Sequence, residues 1–248
     1  MNRRKILAGV RLLTGLSALT LQGRTQRMAE WGFVASWLYP ILRRNSPMHG
    51  PVLTSFPTQA REVWLTIDDG PDAATTSGFL ELLDARRARA SFFAIGRDVL
   101  RHPEISREIV AGGHTLENHT FSHPAGTWWA LPSALVYGEM RRASEAISTT
   151  VGVAPRWFRN PVGMCPWGVH PAAASLGLRV AGWSAAGGDG CRRAPCQSLE
   201  RILPDLRPGA IVVIHAGNRP RHRRLLLMQL LDEMERRELR CVLPEIGM

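Results

Sequence analysis

The chain has 248 residues, 45% of them hydrophobic and 21% charged, with a formal net charge of +10. That is enough apolar material for one large α/β domain or two small ones, and it excludes a wholly disordered chain. Four Cys are too few for a disulfide scaffold and no run reaches the ~20 uninterrupted apolar residues of a spanning helix, which excludes a secreted mini-protein and a multi-pass membrane protein.

The charge is concentrated at one end. Residues 1–50 hold eight cations (Arg3, Arg4, Lys5, Arg11, Arg24, Arg27, Arg43, Arg44) against Glu30, net +7, whereas the other 198 residues carry 23 cations and 20 acids. With no zinc-finger spacing, aromatic RNA-binding motif or long basic helix, the expectation is no nucleic-acid partner. Arg3-Arg4-Lys5 and the run Leu12–Leu21 resemble the start of a secretory signal, but Arg11 interrupts the run from Ile6 and no small-x-small cleavage site follows. A second apolar run, Trp31–Leu42, contains Trp31, Phe33, Trp37 and Tyr39 between Arg27 and Arg43-Arg44. It suits either a helix packed on the domain's own surface or peripheral attachment to an anionic membrane, in a membrane-associated or cell-envelope location. Residues 1–58 are thus set apart as a basic, aromatic extension, with Gly50-Pro51 and Ser55-Phe56-Pro57 as a linker into a domain over 59–248.

From residue 60 onward short apolar runs alternate with helical stretches. Strands are expected at 63–67, 90–95, 114–118, 156–159, 178–183, 210–214 and 239–243, with helices near 75–87, 102–111, 132–150, 171–176, 197–206 and 221–237. Seven strands alternating with helices predict parallel β/α units closed as an incomplete barrel, so chemistry should collect at the carboxyl ends of the strands. Two features stand there. The first strand ends in Thr66-Ile67-Asp68-Asp69-Gly70-Pro71, a carboxylate pair whose mutual repulsion needs a cation or a proton, although an Asx-turn would also use one of them. The third is followed by His119-Thr120-Phe121-Ser122-His123-Pro124, whose i, i+4 histidines are expected on one face of a helical turn within reach of one metal. Two His and one Asp leave a tetrahedral ion an open position, the mark of a catalytic site. His114 is read as a structural histidine, and Cys191 and Cys196 as thiols unless an oxidising compartment pairs them.

Thr-Ile-Asp-Asp-Gly-Pro (66–71), His-Thr-Phe-Ser-His-Pro (119–124), Phe-Arg-Asn-Pro-Val-Gly (158–163) and Val-Ile-His (213–215) together resemble the ordered motifs of the polysaccharide deacetylases, the NodB-homology carbohydrate esterases, over about residues 60–245. The resemblance implies a distorted (β/α)7 barrel and a divalent metal, usually zinc with cobalt or another ion as alternatives, on Asp69, His119 and His123. It implies that metal-bound water attacks an N-acyl carbonyl with Asp68 as general base and His215 as general acid. Arg159 would pair with Asp68, Asp189 would orient His215, and the backbone near Val162 would face the oxyanion. Three departures stand at the acyl pocket: Gly190 replaces a usual Trp, Val213 a Leu, and Val162 an aromatic residue. Arg219, Arg221, Arg223 and Arg224 crowd the segment after His215, either as a solvated helix turn or as an anion-recognising mouth. The expected substrate is an N-acylated sugar polymer or a lipid-linked sugar phosphate. An O-acetyl esterase and a catalytically silent metal- or glycan-binding protein are the alternatives.

Overall fold

The computed structural model describes residues 12, 23–190, 193–217 and 220–244. Arg219, Cys191 with any pairing to Cys196, and most of the Leu12–Leu21 run lie outside them. The described chain forms α1 (Gly23–Leu42), β1 (Glu62–Gly70), α2 (Thr76–Ala85), β2 (Ala90–Ala94), α3 (Gly96–Arg101), α4 (Pro103–Ala111), β3 (Thr115–Asn118), α5 (Ser133–Val151) and β4 (Trp157–Phe158). There follow α6 (Val169–Ser175), β5 (Arg179–Val180), β6 (Ala185–Ala186), α7 (Pro195–Ile202), β7 (Ile211–His215), α8 (Pro220–Arg236) and β8 (Arg240–Cys241).

All the strand pairs are parallel, in the order β5-β4-β3-β2-β1-β7-β6, with β8 pairing only the start of β1. The sheet curls into a half-barrel with helices outside it, as the alternation of elements predicts. Within the path the seven strands are not quite the seven expected. β6 was not anticipated, because a two-residue Ala-Ala strand carries no periodic signal, and the strand at 239–243 became β8, off the path. The two edges, β5 and β6, are consecutive in sequence and leave a seam between them.

Strand alternation sorts each strand between two environments. Val63, Leu65 and Ile67 of β1, Ala90, Phe92 and Ala94 of β2, and Val212 and Ile214 of β7 join the core under the helices. Trp64, Phe93, Trp157 and Ile211 form a separate cluster inside the barrel. Trp64 Nε1–H donates to Ser91 Oγ there at 2.8 Å, so the large indole is buried without a stranded donor.

The stretch expected to be a linker is instead built into the domain. Leu53 bridges Ala181, Ser55 bridges Ala210, and Phe56 N–H donates to Gly209 O at 2.9 Å. Asn45 N–H donates to Gly163 O and its side chain to Trp183 O, so residues 45–56 run along the seam that the strands leave open. Backbone donors beside a sheet edge need partners, and this segment supplies them.

Candidate metal centre and its proton-transfer residues

The inward positions of the strands converge at their carboxyl ends. Alternation that turns Trp64 and Thr66 inward also turns Asp68 inward; Phe93 on β2 faces Glu117 on β3, and two residues on comes His119. Trp157 likewise leads to Arg159, and Ile211 through Val213 to His215. A regular strand would send Asp69 to the opposite face from Asp68. The β1–β2 register shifts between Asp68 and Gly70, and Asp69 takes φ 68°, so this bulge aims both carboxylates at the site.

The His119–His123 segment is not the helical turn expected from its spacing. It is a loop with Thr120 at φ 67° and His123 at φ 51°. Side chains hold that loop: Asn118 Oδ1 accepts Thr120 N–H, Thr120 Oγ1 accepts His123 N–H, and Glu139 Oε2 on α5 accepts both Phe121 and Ser122 N–H. The imidazoles still meet, with ring centroids 4.8 Å apart. Glu139 was missed, since a lone Glu mid-helix carries no sequence signal of what it caps.

Asp69 Oδ1 lies 3.6 Å from His119 Nε2 and 3.4 Å from His123 Nε2, and the ligand atoms of the three residues all fall within 4.8 Å of one another. Oδ1 is buried yet has no hydrogen-bond partner. An orphaned carboxylate oxygen facing two imidazole nitrogens suits a divalent ion, because ligand atoms around a tetrahedral ion with bonds of about 2.1 Å stand about 3.4 Å apart. His119 Nδ1–H donates to Arg159 O at 2.9 Å, which leaves Nε2 as the free lone pair. Burial above all pushes the His123 imidazolium pKa down to about 4, keeping it neutral. Burial alone would raise the Asp69 pKa, but the nearby His119, His215 and His123 outweigh it and hold the carboxyl well below its usual range.

Arg159 fills the barrel beneath this cluster. Its guanidinium is fully buried, donates from Nη1 to Thr66 Oγ1 (2.7 Å) and Asp68 Oδ1 (2.8 Å) and from Nη2 to Gly182 O (2.7 Å), and stacks 4.1 Å from the Phe93 ring. The Gly182 contact ties it to the seam between β5 and β6. Asp68 Oδ1 is thus committed to Arg159, while Oδ2 points toward the triad, 3.9 Å from His119 Nε2.

His215 pairs with Asp68 in the β1–β7 register. Its Nδ1–H donates to Asp189 Oδ1 at 3.0 Å and its backbone N–H to Oδ2 at 2.9 Å. Burial would lower its pKa, but the Asp189 hydrogen bond and charge, with Asp68 and Asp69 behind them, raise it to about 9. Asp189 is itself held below its usual range, with the His215 bond and the Arg223 charge overriding burial. Arg223 Nη1 reaches Asp189 Oδ2 at 2.6 Å, completing a chain from α8 to the imidazole. Gly190 sits over the ring, where an added Cβ would stand 3.3 Å from His215 Nε2.

The remaining expected residues are dispersed. Val213 is buried in β7, opposite Thr66 and Ala186. Val162 is 39% exposed on the turn Pro161–Gly163 at φ 49°, strained for a β-branched residue. The arginine cluster divides: Arg223 turns inward to Asp189, Arg224 pairs with Glu81 at 2.9 Å, and Arg221 stays exposed. His114 is structural, as expected, with Nδ1 accepting Ala90 N–H and a pKa pushed down to about 4 by burial first and by Arg89.

Among solved structures, a family 4 carbohydrate esterase from Streptomyces lividans in complex with acetate superposes with a TM-score of 0.67 at 25% identity, covering 73% of this chain and 92% of that one. A family 4 pseudoenzyme from Bacillus anthracis shares the fold, with a TM-score of 0.68 at 23% identity over 76% of this chain and 65% of that one. A chitooligosaccharide deacetylase of a Bradyrhizobium species is 38% identical over 161 residues, 64% of this chain and 73% of that protein. The polysaccharide deacetylase model matches residues 56–181, half of the chain, a span that holds the triad, Asp68 and Arg159 and stops short of Asp189 and His215. From that match and that relative, the chain belongs to the polysaccharide deacetylase family.

Proposed function

We propose that this chain is a metal-dependent hydrolase that removes the N-acetyl group from an aminosugar residue of a glycan, with Asp69, His119 and His123 holding the ion. The observation that carries the reading is geometric: His215, held through Nδ1 by Asp189, stands beside a triad with an unsatisfied carboxylate oxygen. A divalent ion there, zinc by its preference for two His and one carboxylate, supplies Lewis-acid polarisation of a carbonyl and acidifies water.

The chain's own residues supply the proton transfers. Asp68, fixed through Oδ1 by Arg159, presents Oδ2 to the attacking water and takes its proton. His215 Nδ1 is committed to Asp189, so Nε2 faces outward and delivers a proton to the departing nitrogen. One water is consumed, the C–N bond breaks, and acetate and a free amine leave. An amine leaves poorly without that proton whereas an alcohol needs less help, and the buried Arg223–Asp189–His215 chain therefore favours an amide over an ester. The exposed turn at Val162 forms the rim where the acyl oxygen would meet backbone N–H groups. The family relatives that carry this reading include the chitooligosaccharide deacetylases and a peptidoglycan-N-acetylglucosamine deacetylase of Listeria monocytogenes, 28% identical over 62% of this chain and 32% of that protein.

The test is acetate release from N-acetylated chitooligosaccharides and peptidoglycan fragments, with O-acetylated xylan as the ester control. Acetate and amine should appear in equal amounts, vanish with a chelator and return with zinc or cobalt. Metal-loaded protein that binds these glycans and hydrolyses none of them would make it a silent binder. Turnover of the ester alone would make it an esterase.

A further inference from the structure

From Trp31 onward helix α1 is mostly apolar, and the helix stands largely uncovered. Met28 is 73% and Trp31 72% exposed, and Val34, Tyr39 and Leu42 are exposed as well, while Ser36, Pro40 and Ile41 near its end are buried. An uncovered apolar stretch of this size on a folded surface marks a site that meets a partner or a membrane. Its carboxyl end is fixed to the rim of the site: Cys165 N–H donates to Ile41 O at 3.1 Å, Asn45 N–H to Gly163 O at 2.9 Å, and Trp37 packs 5.2 Å from Trp167, which stacks on His49. Trp167 and Val162 are exposed apolar residues too, Val162 on the turn that follows Arg159.

The composition of this surface identifies its occupant. Trp and Tyr are the residues that sit at a lipid boundary, and Arg24, Arg27, Arg43 and Arg44 bracket them against the single acid Glu30. Arg3, Arg4, Lys5 and Arg11 add four cations upstream in the sequence. No helix among the described residues is long and apolar enough to cross a membrane. We infer that Gly23–Leu42, with Trp167 and Val162 beside it, is an interfacial anchor that lies on an anionic lipid bilayer and holds the mouth of the site against it. Substrate is then met at the bilayer surface, and the inference stands apart from the hydrolytic reading because binding is scored without turnover.

The experiment is flotation of the full chain with vesicles of phosphatidylglycerol and phosphatidylcholine in equal parts, against vesicles of phosphatidylcholine alone. Binding to the anionic vesicles, with a blue shift of tryptophan emission, is the expected result. Trp31→Ser should weaken it roughly tenfold by losing buried apolar area. Arg24→Gln and Arg27→Gln should weaken it about fivefold each. All three variants should keep the parent's circular dichroism spectrum and melting temperature, which reports that they fold. Absence of binding to either vesicle overturns the inference, as does binding that Trp31→Ser and the Arg variants leave undiminished. A dimer in light scattering that Trp31→Ser dissociates, without vesicle binding, assigns the face to a second copy and also overturns it.

Discussion

Replacing Asp189 with Asn keeps the shape of the His215 clamp and removes its charge. With Asp189 in place the imidazolium pKa is raised to about 9, so at pH 8 about 90% of the acid is protonated. Without that charge the value falls to the ordinary histidine figure of about 6.5 or below, and about 3% stays protonated at pH 8. The expected loss in kcat/KM is therefore about thirtyfold at pH 8 and under about twofold at pH 6. An ion bound at Asp69 would oppose the contributions of Asp68 and Asp69 and lower the value in both proteins, so thirtyfold is the upper end of the expected loss. The variant also removes the carboxylate charge facing Arg223, and weakening a largely buried ion pair costs stability. The linkage has a definite sign: a folded pKa above the unfolded one stabilises fully below pH about 6.5 and is lost as pH rises through about 9. The stability gap between the parent and Asp189→Asn should thus narrow across that window. The assay is acetate release from an N-acetylated oligosaccharide between about pH 5.5 and 9.5, with protein folding checked by thermal melts. An equal loss at pH 6 and pH 8 would refute the claim that Asp189 sustains the proton on His215.

Asp69→Asn and His123→Ala should each lower divalent-metal content measured after dialysis, whereas Asp68→Asn should keep the metal and lose roughly 10²–10⁴ in turnover; metal lost with Asp68 would move it into the ligand set. Glu117, buried inside the barrel, has its pKa raised to about 7 by burial even though Arg156 and Trp157 N–H groups both donate to it. A raised carboxyl pKa costs stability as pH climbs from about 4.5 to 7, so the advantage of Glu117→Gln in thermal melts should grow across that window to roughly 3 kcal/mol and stay flat above it. A gap independent of pH would mean that Glu117 is charged throughout. Val162→Gly should raise stability by about 1 kcal/mol, since Gly accepts the φ of 49° that strains Val; an unchanged or lower melting temperature would show the turn to be unstrained.

Much of the site was legible because it follows from local chemistry. Paired carboxylates after a buried strand, two histidines four residues apart and a histidine ending an apolar run are all readable without coordinates, as is the parallel β/α order that puts strand ends together. Three expectations needed the structure. The histidines come from a loop with left-handed residues, because Glu139 and Asn118 side chains satisfy its backbone where a helix would have done so internally. The 45–56 segment, where the sequence suggested a linker into the domain, packs on the seam, since the sheet leaves unpaired backbone there. The arginines after His215 part company according to which acid each meets, Asp189 for Arg223 and Glu81 for Arg224.

Sequence by itself determined which residue types face inward at the ends of β1, β3, β4 and β7, because side-chain direction in a strand has a fixed period of two. Tertiary structure decided how Asp69 breaks that period at a bulge, how Arg159 spans from Thr66 to Gly182, and which cation holds Asp189. Those contacts join residues far apart in the chain, and a long-range pairing leaves no periodic trace in the segments that make it.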